Sequence, residues 1–251
     1  MNWNFTANSP DELANIGHKL LNAAKQTFLD EQWQMSQLLK AMSSASIFEF
    51  PVRVRHTGVR GVPDFQIESG GRRIAIELAK ITTQDVEHAR GLQRKGLKRT
   101  LGISSLYLKK SKPRTVDEII KEGFSYQPFR FGVSPEGLNE IWIKEVTTQL
   151  DKKTTVLRGK QFEHGHEDWL VLWDRIGTDE YEIKSRIEVV KKLLASRWKL
   201  GWYSRVFIQQ IGSYPFLAIF SETGIISIPK NFEGPANNYP PGFIFSGSPD
   251  D

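Results

Sequence analysis

The segment from Val62 to Lys80 is built around a glycine pair, Gly70-Gly71. A two-residue hairpin turn needs positive φ at both central positions, and glycine supplies it without steric cost. With these glycines as the turn, Ser69 faces Arg72, and the register runs on to set Asp64 opposite Glu77. Alternation then puts Phe65, Ile67, Ile74, Ile76 and Leu78 on one face, all apolar. Asp64, Gln66, Glu68, Arg73, Ala75, Glu77 and Ala79 take the other face. A one-residue slip would turn every apolar side chain outward, so the register is tightly specified.

The polar face holds one awkward pair. Glu68 meets Arg73 favourably, but Asp64 meets Glu77, and directly opposed residues have Cβ atoms roughly 4.5–5.5 Å apart. Two carboxylates at that spacing repel unless a cation lies between them. A divalent metal is the commonest chemical answer. The competing reading is a half-exposed hairpin whose polar face meets water, with the two acids splayed apart. Spacing alone leaves both open.

Pro63-Asp64, the glycine turn and Glu77 in an apolar strand resemble the PD-(D/E)xK nuclease signature of the restriction-endonuclease-like fold. The resemblance implies metal-dependent phosphodiester hydrolysis. Asp64, Glu77 and the main-chain carbonyl of Leu78 would hold Mg²⁺ or Mn²⁺ through hard oxygen ligands, and a lysine would orient the attacking water. In the family that lysine follows the acid by two residues, where this chain has Ala79; Lys80 stands one residue late. Strict alternation sends Lys80 to the apolar side. Either a bulge between Glu77 and Lys80 re-aims it, or the lysine comes from the following helix. Lys153 is the candidate there, with Gln149 one turn earlier on the same helical face. Glu31 and Glu12 are the candidates for the acid that this fold often takes from its first helix.

The other elements follow the order that the resemblance implies. Residues 9–40 are strongly helical and open on Ser9-Pro10-Asp11-Glu12, an N-cap with proline at the first helical position. Strands are expected over 47–55, 169–173, 204–211, 215–221 and 224–228, and helices over 138–157 and 183–200. The expected class is α/β: a restriction-endonuclease-like mixed sheet flanked by helices. It forms a single domain over 1–230, with a basic insertion at about 82–136, a C-terminal extension of the sheet, and a loop-rich tail at 231–251.

Charge makes the binding expectation concrete. The net charge is +5, yet no acidic residue occurs between Glu87 and Asp117. That window holds Arg90, Arg94, Lys95, Lys98, Arg99, Lys109, Lys110, Lys112 and Arg114. A local block of one sign reads as a patch facing phosphates, and the resemblance points to double-stranded DNA. An acidic protein partner, or an ordinary solvated helix face, are the alternatives. A chain that lost the lysine would be a nucleic-acid-binding module without catalysis.

Other features narrow the field. At 251 residues and 39% hydrophobic content the chain can bury a sizeable core. It has no cysteine, which excludes disulfides and thiolate metal sites. The first residues lack a signal-peptide pattern and no stretch approaches the roughly 18 apolar residues of a membrane span, so a cytoplasmic protein without membrane contact is expected. Residues Glu163 to Asp168 carry five potential metal ligands, but without a matching distant ligand they read as a polar loop. Trp142, Trp169, Trp173, Trp198 and Trp202 read as core or groove residues. No phosphate-binding loop, dinucleotide fingerprint or nucleophile elbow is present.

Overall fold

Both glycines of the turn adopt positive φ, 55° at Gly70 and 74° at Gly71. The strands they join keep the expected register from Ser69–Arg72 to Phe65–Ile76. The computed structural model describes residues 3–23, 29–43, 47–57, 62–94, 114–123, 135–159, 162–176, 180–198, 202–210, 216–222 and 224–227. Its strands are β1 (Trp3–Ala7), β2 (Val52–His56), β3 (Phe65–Ser69), β4 (Arg72–Ile81), β5 (Glu167–Asp174), β6 (Arg205–Gln210), β7 (Phe216–Ser221) and β8 (Gly224–Ser227). The helices are α1 (Pro10–Ala23), α2 (Leu29–Ser43), α3 (Gln84–Arg94), α4 (Val116–Gly123), α5 (Pro135–Leu157) and α6 (Glu180–Trp198).

The strands form one sheet in chain order, β1 to β8. From β1 to β4 neighbours run antiparallel. The β5–β6 pair is parallel, and β6, β7 and β8 return antiparallel. The result is a mixed sheet flanked by helices, the α/β class that the pattern of elements predicted. The expected cap is in place: the Glu12 N–H donates to Ser9 Oγ at 3.2 Å, and Glu12 Oε2 accepts the Asn8 N–H at 2.7 Å. The single helix expected over 9–40 is instead two, α1 and α2. β1 was not foreseen. Five residues carry too short a pattern to stand out, and its partner β2 lies about fifty residues on in the sequence.

The apolar face of the hairpin packs where alternation put it. Phe65, Ile67, Ile74, Ile76 and Leu78 lie in one core with Leu13, Ile16 and Leu20 of α1 and Met35, Leu38, Leu39 and Met42 of α2. The second face differs from the half-exposed reading, because Gln66, Ala75, Glu77 and Ala79 are buried as well. On β5 and β6 that face carries Leu170, Leu172, Val206 and Ile208, all buried, as are Ile187, Val190 and Leu194 of α6. A polar residue there is therefore taken out of water, and each needs a partner.

The chain divides into two compact units. One carries the sheet, α1, α2 and α6; the described residues of the other lie within Ile81–Thr148. In the second unit Arg114 is buried and pairs with Asp85. That removes Arg114 from the expected basic patch, since a desolvated guanidinium persists only with its charge matched. No described helix is long and apolar enough to cross a membrane.

Gly165, in the segment before β5, sits against β4 with no room for a side chain. A Cβ there would lie 2.5 Å from the Arg73 carbonyl oxygen, 2.7 Å from that of Glu167 and 2.8 Å from the Ala75 nitrogen. All three are main-chain atoms that cannot swing aside. Gly165→Ala is expected to destabilise the protein by about 1–3 kcal/mol. A urea unfolding curve checks this, with a lower midpoint at unchanged slope.

Candidate active site

The ladder between β3 and β4 ends at Phe65–Ile76, one step short of the two acids. Asp64 lies beyond the β3–β4 ladder but continues the pairing of β3 with β2. Its carbonyl oxygen accepts the Thr57 N–H at 3.0 Å, and Thr57 Oγ1 donates to the Pro63 carbonyl. The Asp64 side chain then turns back toward β4, where Oδ2 accepts the Leu78 N–H at 2.8 Å. Glu77 sits on β4 with 6% of its surface exposed. The two acids are thus gathered at one edge of the hairpin, not splayed into water.

Lys153 completes the group. It extends from the C-terminal half of α5, and its Nζ lies 2.5 Å from Glu77 Oε1. Lys80 is half-buried three residues beyond Glu77 on β4, on the other side of the pleat. Of the two lysines that the sequence offered, Lys153 reaches the acid. Its helix is tied down beside it: Tyr203 donates its hydroxyl to the Lys153 carbonyl at 3.2 Å, and Trp202 Nε1 donates to Thr154 Oγ1 at 2.7 Å. Arg197 pairs with Asp151 at 2.5 Å, two residues before Lys153. Tyr203 and Thr57 were not singled out from the sequence, and Trp202 only as a core or groove residue. No local signal marks them, since each acts through a partner far along the chain.

The electrostatics record the crowding of charge. Burial holds the Asp64 carboxyl well above its ordinary 3.8, at about 7, and the neighbouring Glu77 carboxylate pushes the same way. Lys153 and the Leu78 N–H oppose this, while Glu31 adds a smaller repulsion. Glu31, on α2, lies 3.6 Å from the buried ring of His56. Burial and the same two acids also push the Tyr203 phenol upward, together with Asp168. Glu77 Oε2 is buried with no hydrogen-bond partner.

These features fit a hard divalent cation. Lys153 balances only part of the charge on Asp64 and Glu77, and the orphaned Glu77 oxygen lacks the donor or cation that a buried carboxylate requires. In an antiparallel ladder the N–H and C=O of one residue project to the same side. The Leu78 carbonyl therefore lies along the edge whose N–H Asp64 takes. Two carboxylates and a carbonyl are an oxygen set of the kind Mg²⁺ accepts, with water filling the remaining positions. Among the described residues no three His, Cys, Asp or Glu side chains gather as a metal-holding group.

The remaining candidates are placed differently. Arg90 and Arg94 fall on α3, with their side chains outside the described residues, as are Lys95, Lys98, Arg99, Lys109, Lys110 and Lys112 altogether. The segment from Glu163 to Asp168 is held by contacts within itself, to β4 and to Trp169. His164 Nδ1 meets Asp168 at 2.6 Å, His166 Nδ1 accepts the Arg73 N–H at 2.9 Å, and Glu167 takes Arg72 and the Trp169 indole. Trp142, Trp169, Trp173 and Trp202 are buried. Comparison of the chain with known protein families, with curated proteins and with solved structures finds no match.

Proposed function

We propose that this chain is a metal-dependent nuclease of the PD-(D/E)xK type, on a restriction-endonuclease-like fold, which hydrolyses phosphodiester bonds in nucleic acid, with double-stranded DNA as the favoured substrate. The observation that carries the reading is the meeting of Asp64, Glu77 and Lys153 at the open end of a glycine-turned hairpin. Glu77 Oε2 is in addition buried with no hydrogen-bond partner, and a hard cation would satisfy it.

In this reading Asp64, Glu77 and the Leu78 carbonyl would hold Mg²⁺ or Mn²⁺. The bound ion supplies Lewis-acid polarisation of the phosphate and a water of lowered pKa. The protein residues do the rest. Asp64 must be ionised to ligate, so with its carboxyl titrating near 7 it binds metal with release of a proton. Lys153, whose ammonium lies beside Glu77, would supply a fixed donor for the negative charge that develops on the reacting phosphate. Tyr203 and Trp202 keep the end of α5 in place, so that the ammonium returns to one position. Glu31 adds negative charge beside the same centre.

The test is nicking of supercoiled plasmid and cutting of linear duplex with Mg²⁺ or Mn²⁺, for the wild type, Asp64→Asn and Glu77→Gln. Loss of cutting by at least about 10³-fold in each variant is expected, given that metal-assisted activation and charge stabilisation both depend on the pair. A wild type that binds duplex and never cuts is instead a nucleic-acid-binding module. One that does neither returns the basic residues to a protein partner.

A further inference from the structure

The sheet face that carries Asp64 and Glu77 runs on toward the hairpin turn, and its far end is basic. Arg53 stands opposite Glu68, and Glu68 opposite Arg73. These three form one cross-strand row on the same face as the acids, four residues along β3 from Asp64, or about 13 Å. Arg55, in the row between, is exposed on that face opposite Gln66. A cavity of about 460 Å³ opens at the turn, lined by Phe50, Arg53, Glu68, Arg72, Arg73 and His166 among others.

The three guanidiniums face one lining carboxylate, that of Glu68, and their partners leave them usable. Arg53 and Glu68 meet loosely at 3.6 Å with side chains 69% and 59% exposed, a contact that water screens. Arg72 is steadied by Glu167 at 3.0 Å, but that carboxylate is shared with the Trp169 indole and with Arg205 at 3.3 Å. Arg73 donates to the His164 carbonyl at 2.8 Å. A neutral acceptor orients the fork without cancelling its charge, and among the described residues no carboxylate lies within ion-pair reach of Arg73. His166 accepts the Arg73 N–H on Nδ1, so the neutral ring carries its proton on Nε2 as a donor. Glu163, which accepts from Gln66 at 3.2 Å, stands between this cavity and the acids. The cavity is therefore separate from the proposed metal centre.

We infer that the cavity is a second phosphate seat, where Arg53 and Arg73 hold a backbone phosphate of the nucleic acid whose scissile group lies at Asp64 and Glu77. The inference rests on the nuclease reading for its ligand and deepens it. Planar guanidinium forks match phosphate oxygens in pairs. A separation of about 13 Å is only a few nucleotides of one strand, so one bound strand reaches both places.

The experiment is fluorescence anisotropy of a labelled duplex oligonucleotide in EDTA, which prevents cutting, titrated over a range of potassium chloride. Arg53→Ala/Arg73→Ala is compared with the wild type and with Arg53→Lys/Arg73→Lys. Loss of this phosphate contact is expected to reduce the slope of log K against log salt by about 0.9, while the lysine pair, which keeps both charges, retains most of the wild-type slope. Unchanged affinity and slope in the alanine pair overturn the inference, and so does a wild type that fails to bind duplex at low salt. Plasmid cutting with Mg²⁺, measured alongside, separates the two claims. Cutting with an unaltered slope removes the phosphate seat and leaves the nuclease; a lost slope without any cutting does the reverse.

Discussion

Lys153→Met is expected to lower the rate of metal-dependent cleavage by about 10²–10³-fold, the usual cost of removing one preorganised donor at a centre of developing charge. Lys80→Met is expected to leave the rate unchanged. The difference follows from placement alone. Lys153 Nζ lies 2.5 Å from Glu77, whereas Lys80 is out of phase with Glu77 on the same strand. The substitution also leaves Glu77 buried without its cation. Breaking such a pair costs about 3–5 kcal/mol, so a lower melting temperature is expected for Lys153→Met than for the wild type. Lys153→Arg separates the two effects: it keeps the charge and most of the stability, but a planar fork does not reproduce the position of a compact ammonium. Single-turnover nicking of plasmid by the three variants reads the result. An equal loss in Lys80→Met would sink the assignment, as would an undiminished rate in Lys153→Met.

The second large effect concerns pH and metal together. Asp64 holds its proton to about pH 7 in the folded protein, against 3.8 ordinarily. Between those values the native state binds more protons than the unfolded chain, so stability falls as pH rises through the window. The loss is full once the carboxyl is ionised and comes to no more than about 4 kcal/mol, at 1.36 kcal/mol per unit. Asp64→Asn removes the charge and is expected to flatten that part of the profile, making the variant more stable than the wild type at pH 8 without metal. Mg²⁺ acts in the opposite direction. At a hundredfold excess over its dissociation constant it adds about 2.7 kcal/mol, or roughly 5–10 °C in melting temperature for a chain of this size. The increase is expected in the wild type at pH 8, to shrink below pH 7 as protons compete for Asp64, and to be absent in Asp64→Asn. Melting curves across pH, with and without Mg²⁺, check all three. A metal-independent wild-type profile contradicts the oxygen-ligand site directly.

On the proposed reading, stability and function are opposed at this centre. Glu77 and Glu31 both repel an ionised Asp64 in the folded chain, and a protein selected only to fold would have neutralised one of them. Such local conflict between sequence and stability is what functional sites carry.

The hairpin was legible because everything it needs is local. Gly70-Gly71 fixes the turn, the turn fixes the register, and the register fixes which residues share a face. The Ser9 cap, the long helix that ends near Leu157 and the strands from Glu167 onward were likewise written in short-range pattern. What lay beyond the sequence depends on contacts between distant segments. Lys153 meets Glu77 across 76 residues, and nothing in the spacing of either could choose it over Lys80. Nor could alternation reveal that Gln66, Ala75, Glu77 and Ala79 on the polar face of the hairpin are buried, since that depends on what the folded chain packs over them. Burial converts the Asp64–Glu77 pair from two solvated acids into a centre that holds a proton to neutral pH. Short-range sterics and pleat periodicity act within a few residues and can be read along the chain; desolvation and Coulomb pairing depend on what the folded chain brings alongside, and only the tertiary structure decides that.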